Sequence, residues 1–204
     1  MLFRSRLAQW HKENSNLNPV VVTPQEIYHE FSSGKQDPVA IRNFVRHLYN
    51  KSHSAGTSPP KYLLLLGDAS YDYLNTIQGN TNFVPGYESI SSLDPLSTYV
   101  SDDFFGFLDA NENIAQNQLT DIDIGIGRIP AKTIDEARSV VDKIIRYHEP
   151  ASFGSWRNEI TLIADDEDNN LHLDDAEFHA GVIAVKTGKL PAKIYLDAYR
   201  QQSG

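Results

Sequence analysis

"KYLLLLGDASYDY", residues 61–73, runs four leucines into Gly-Asp and then into a loop that mixes acids with tyrosines. A short apolar run of this kind reads as a strand buried on both faces, as in a parallel sheet. Asp68 and Asp72 then fall just past the carboxyl edge of that sheet. In open α/β sheets that edge is where ligands usually bind.

Toward the N-terminus, "PVVVTP" (19–24) reads as a short β-branched strand. Thr23, Pro24 and Glu26 supply an N-cap, a proline at the first helical position and a capping-box acid, which opens a short helix through Phe31. Asp37-Pro38 repeats the start signal, and Ile41, Phe44, Val45, Leu48 and Tyr49 form one apolar helical face behind it. The opening "MLFRSRLAQWHKENSN" reads as an amphipathic helix, and Trp10-His11-Lys12-Glu13 interrupts any signal-peptide core.

Toward the C-terminus, residues 69–101 form a long loop that Tyr71, Tyr73, Phe83, Tyr87 and Tyr99 mark as ordered, because disordered segments are poor in aromatics. "DFFGFLDANEN" and "DIDIGIGRIP" read as two more strands. In the second, Ile122, Ile124 and Ile126 share one face and Asp123, Gly125 and Gly127 the other, so something is expected to pack close over the glycines. Thr133 with Glu136 opens a strong helix. Beyond the linker at 149–155, "EITLIADDED", a helix around 173–187 and "KIYLDA" complete the chain. Strands alternate with helices, so the fold class is α/β with a mostly parallel sheet flanked by helices.

Composition narrows the function. The 204 residues carry a formal net charge of −9, with 40% hydrophobic and 22% charged residues. That is ordinary for a globular protein, and it argues against a nucleic-acid partner, for which no basic stripe exists. No run approaches the roughly 18 apolar residues of a membrane helix. Cysteine is absent, which excludes disulfides, thiolate metal sites and a cysteine nucleophile within these residues.

Acids cluster where strands end: Asp68 and Asp72, Asp102 and Asp103, Asp109, and Asp165 through Asp168. Asp109, Asn111 and Asn113 alternate in a loop after a strand, a spacing at which oxygen ligands can turn onto one cation. It is not an EF-hand, since Ile114 stands where such a loop needs glycine and Thr120 where it needs glutamate. The seven histidines show no metal-ligand spacing, and there is no nucleophile elbow or phosphate loop. "ITLIADDED" is similar to the start of a response-regulator receiver domain, but too little chain follows it to hold the remaining strands of one.

"KYLLLLGDASYDY", "NFVPGYES", "SDDFFGFLDANE", "DIDIGIGRIPAKTIDEARSVVDKIIRYHEP", "WRNEITLIADDED" and "DAEFHA" resemble, in this order, the gingipain family of cysteine peptidases. The resemblance is closest to the PorU-type sortase branch of the type IX secretion system, which "TPQEIYHEFSSGKQDPVAIRNFVRHLYN" matches as well. It implies a caspase-like architecture of two α/β subdomains. Residues 1–148 would be the first subdomain with a leading helix, 149–155 a linker, and 156–204 the beginning of a second, catalytic subdomain left incomplete. The family cleaves peptide bonds with a Cys-His dyad, which on this resemblance lies beyond Gly204, so the fragment alone is expected to be inactive. Glu167 matches an acid that approaches the catalytic histidine in some members. A structural calcium ion is implied at Asp68, Asp109 and Asn111, with Asn113 as a further donor.

The implied partners are protein substrates with a C-terminal sorting domain and other secretion components, at the outer-membrane surface of a bacterium or secreted from it. The alternative is a non-catalytic, calcium-stabilised scaffolding or interaction domain of a surface protein.

Overall fold

The computed structural model describes residues 3–91, 93–112, 121–165 and 167–200. It is a mixed α/β structure that divides into two compact units, Met1–Arg146 and Tyr147–Gly204.

In the first unit, helices α1 (Phe3–Asn14), α2 (Pro24–Phe31) and α3 (Pro38–Ser54) precede strand β1 (Tyr62–Leu66). The start of α2 follows directly from its sequence. The Thr23 hydroxyl accepts from the Glu26 N–H at 3.3 Å, and the Glu26 carboxylate accepts from the Thr23 N–H at 2.7 Å. That is a complete capping box ahead of a proline already set at helical φ. Asp37 caps α3 by accepting from the Val39 N–H at 2.8 Å.

The expected strand at 19–24 does not form: Val20, Val21 and Val22 are exposed and irregular. Its β-branched residues meet no partner strand, and β propensity expresses itself only through pairing and packing.

Strand β1 pairs in parallel with β4 (Gly125–Ile129), with Tyr62 opposite Gly125 and Leu66 opposite Ile129. Leu63, Leu65 and Ile126 face α2 and α3 in a core with Ile27, Tyr28, Ile41 and Phe105. On the opposite face Leu66 and Ile129 pack with Leu7 of α1 and with Ala137 and Val141 of α4 (Ile134–Tyr147). Tyr62 and Leu64, farther back on that face, remain 68% and 46% exposed. The leucine run is therefore covered on one face, where Leu65 is buried and Leu63 half-buried, and on the other only at its carboxyl end, where Leu66 is half-buried. The close approach expected over the glycines is also partial. A Cβ on Gly125 would come within 3.0 Å of the Tyr62 ring, whereas one on Gly127 would meet nothing within 4 Å.

Between β1 and β4 lie a short antiparallel pair, β2 (Tyr87–Glu88) with β3 (Val100–Ser101), and a 3₁₀ turn at Asp103–Gly106. The strand expected at "DFFGFL" is that turn instead. Phe104 and Phe105 are adjacent and both buried, which a strand with one buried face cannot arrange but a tight turn can. A Cβ on Gly106 would lie 2.6 Å from Ile122 and 2.7 Å from Ile126, so glycine lets the turn close onto the β4 side.

The second unit holds β5 (Thr161–Ala164), α5 (Glu167–Thr187) and β6 (Ala192–Tyr195), with β5 and β6 parallel. Before β5, two 3₁₀ turns at Pro150–Ser152 and Ser155–Asn158 gather around Arg157. Its guanidinium carbon lies 4.0 Å from the Tyr147 ring centre and 4.4 Å from that of Phe153, distances at which an aromatic face attracts a cation.

Candidate functional site

The carboxyl end of β1 carries a connected polar network. Gly67 turns the chain there with φ +148, and a Cβ on it would meet Phe83 Cβ at 2.9 Å. Asp68 follows, its N–H donating to the Ala131 carbonyl at 3.1 Å and its carbonyl accepting from the Phe83 and Val84 N–H groups. Its carboxylate accepts from the Thr81 hydroxyl at 2.6 Å and stands 3.9 Å from Lys132 Nζ.

Asp72 is buried and organises the loop beyond. The Ile77 N–H donates to it at 2.7 Å and the Thr76 hydroxyl at 2.9 Å. These donors, the Ile77 amide first, hold its carboxyl below the usual range despite burial. Below the loop, Arg128 of β4 donates to both oxygens of Asp102 at 2.7 Å and to the carbonyls of Gly67 and Val84.

Asp109 lies elsewhere. The N–H of its neighbour Leu108 donates to Asp123 at 2.9 Å, and the Asp123 N–H donates to the Gly106 carbonyl at 3.0 Å. Asp123 precedes β4, so Asp109 sits at the amino end of the strand pair whose carboxyl end holds Asp68. The four residue steps from Gly125 to Ile129 alone separate those ends by about 13 Å. Calcium binds carboxylate oxygens at about 2.5 Å, so one ion cannot take both Asp68 and Asp109.

The Asp109 N–H is bound by Glu112 Oε2 at 2.8 Å, Asn111 is exposed in the turn between them, and Asn113 lies outside the described residues. Among the described residues no three histidine, aspartate or glutamate side chains cluster to hold a metal. The donor set implied for calcium does not fit a single shared ion.

In the second unit, Glu167 is exposed just past the carboxyl end of β5. Asp168, Asn169 and Asn170 then hold left-handed φ of 53°, 57° and 63°. Asp and Asn tolerate that region better than other side chains, and regular helix follows. Nearby, His172 Nδ1 lies 2.8 Å from Asp165 Oδ1. This hydrogen bond, and then the carboxylate's charge, raise the imidazole above its ordinary value. Sequence reasoning missed the pair. Its one signal was an aspartate at a strand end followed, across an Asp-Asn-Asn run suited to left-handed backbone, by a histidine early in the next helix.

The profile of peptidase family C25 matches residues 4–204 of the chain. Among solved structures, the chain is similar to dimeric latent PorU from Porphyromonas gingivalis, with 30% sequence identity and a TM-score of 0.63 over 76% of this chain. It spans 15% of the length of that PorU chain. No curated protein matches it.

Proposed function

Because the chain belongs to peptidase family C25, we propose that it forms the N-terminal portion of the catalytic domain of a gingipain-like cysteine endopeptidase. The observation that carries this reading is the family match over residues 4–204. The 204 residues contain no cysteine, so on this reading the nucleophile lies outside them. The part played here is support. On this reading Glu167, exposed just past the end of β5, is the acid that accepts a hydrogen bond from the catalytic imidazole and stabilises its charged form, a role the family resemblance implies.

The finer reading is that the whole protein is a type IX secretion sortase at the bacterial surface, removing C-terminal sorting domains from secreted cargo. The likeness to PorU supports it. The test is to express the whole protein and incubate it with a cargo protein ending in a sorting domain. Cleavage that disappears when the dyad cysteine is changed to alanine is the expected result. The 204-residue chain alone should give no thiol-blockable cleavage. A whole protein without a histidine–cysteine pair past Gly204 would overturn the catalytic reading and leave a scaffolding role.

A further inference from the structure

Strand β5 hands over to α5 through a turn that ordinary L-residues avoid. Asp168, Asn169 and Asn170 are left-handed in succession, with φ of 53°, 57° and 63°, whereas such residues visit that region singly as a rule. A hydrogen bond spans the turn. Oδ1 of Asp165, the residue after the strand, lies 2.8 Å from Nδ1 of His172 on the first right-handed turn of α5. Glu167 falls inside that span.

The pair is open to solvent, with the imidazole 53% and the carboxylate 37% exposed, so protons reach it freely. The hydrogen bond to Asp165 comes first among the influences that favour the protonated imidazole, and the charge of Asp165 follows. Asp168 from the left-handed turn and Asp175 from the next turn of α5 act in the same direction, and slight burial opposes them without prevailing. All three charges are acids. A charged imidazole donating to a carboxylate makes roughly twice as strong a hydrogen bond as neutral groups make. The group is not a metal centre, since among the described residues no three such side chains cluster to hold an ion.

A left-handed run bridged by a titratable hydrogen bond has two opposed tendencies. Backbone strain favours release of the turn, and the hydrogen bond favours its closed form. Protonation of His172 adds to the closed side. By linkage, that contribution is complete below the ordinary histidine value of about 6.5 and is lost as pH rises through the raised folded value. Each unit of elevation corresponds to about a tenfold shift in the closed-to-open ratio.

We propose that Asp165 and His172 form a proton-operated latch on the Asp168–Asn170 turn, and that the closed latch holds Glu167 in place at the end of β5. The two are positioning residues, which act through Glu167. What Glu167 does in catalysis rests on the peptidase reading above, whereas the latch does not depend on it.

The test begins with the intact 204-residue chain in an NMR pH titration. The HN–Hα couplings and Cα shifts of Asp168, Asn169 and Asn170 should move toward averaged values with the same midpoint as the His172 ring. The closed-to-open ratio should fall about tenfold for each unit by which that midpoint exceeds about 6.5. His172→Gln, which keeps a donor for Asp165 but does not titrate, should abolish the midpoint, and Asp165→Asn should shift it back toward the ordinary value. Turn couplings that ignore the His172 midpoint in the wild-type chain overturn the latch, as does a midpoint that persists in His172→Gln. In the whole protein, kcat should step down at the His172 pKa with KM unmoved, and His172→Gln should erase the step. An active whole protein without that step overturns the placement of Glu167. A whole protein that cleaves nothing overturns the peptidase reading instead, and the NMR titration still decides the latch.

Discussion

Arg128 grips Asp102 through both carboxylate oxygens, at 2.7 Å each, while its remaining amino group donates to the carbonyls of Gly67 and Val84. One side chain on β4 thus ties together the exit of β1, the middle of the long loop and the loop's return. Its planar fork suits this task, because a guanidinium presents donors in fixed directions where an ammonium is only a point charge.

Replacing Arg128 with methionine should cost about 3 kcal/mol, since it leaves Asp102 half-buried and unpaired. Arg128→Lys should recover little of that, as lysine cannot reproduce the two-oxygen grip. Chemical denaturation measures the loss. Limited proteolysis should locate it, with cleavage appearing first between residues 69 and 101.

Gly67 and Gly127 should respond oppositely to alanine. At Gly67 the backbone has φ +148 and a new Cβ would stand 2.9 Å from Phe83. Gly67→Ala is expected to destabilise by about 2 kcal/mol or more. Gly127 has nothing within 4 Å of a new Cβ. Gly127→Ala should be neutral or stabilise by about 0.5 kcal/mol, through reduced freedom of the unfolded chain. Thermal melting of the two variants side by side checks both signs.

The Asp165–His172 pair carries a pH signature. Asp165 raises the folded-state pKa of His172 by hydrogen bond and then by charge. A base shifted upward on folding adds stability below its unfolded pKa, about 6.5. That stability is lost as pH rises through the folded value. Amide exchange in β5 and α5 should therefore quicken, beyond its intrinsic rate, between about pH 6.5 and the folded pKa read from a histidine NMR titration. Asp165→Asn should return the imidazole toward its ordinary value and flatten the profile.

Asp68 and Asp109 should behave as strangers to each other. They lie at opposite ends of the β1/β4 pair and share no described partner. Side chains so separated give stability changes that add to within about 0.5 kcal/mol. A double-mutant cycle of Asp68→Asn and Asp109→Asn, run in calcium and in chelator, should show no larger coupling in either buffer. Strong coupling that appears only with calcium would restore a shared ion.

The parts of this fold legible in the sequence are those decided locally. Thr23, Pro24 and Glu26 specify the start of α2 within four residues; the leucine run is a strand because it is short, apolar and bounded by turn residues, and "GIGRI" because it carries on the isoleucine alternation of the residues before it. What escaped was decided by distant neighbours. Val20–Val22 have strand composition but no strand beside them. Phe104 and Phe105 read as strand residues, yet both reach the core only because the chain coils there and Gly106 admits Ile122 and Ile126. Asp68 and Asp109 look alike on paper, each an acid following an apolar run, and only the parallel register of β1 with β4 reveals that they face opposite ends.

The Arg128 clasp also bears on how this region can change over generations. Gly67 and Asp102 meet at the same guanidinium, so the chain between them leaves the sheet and returns to one place. Closing a longer loop between fixed ends costs only about 0.6 kcal/mol per doubling of its length. The loop is thus a socketed module: residues can be gained, lost or exchanged near Leu93 and Leu96, both nearly fully exposed, while the strands beneath keep their register.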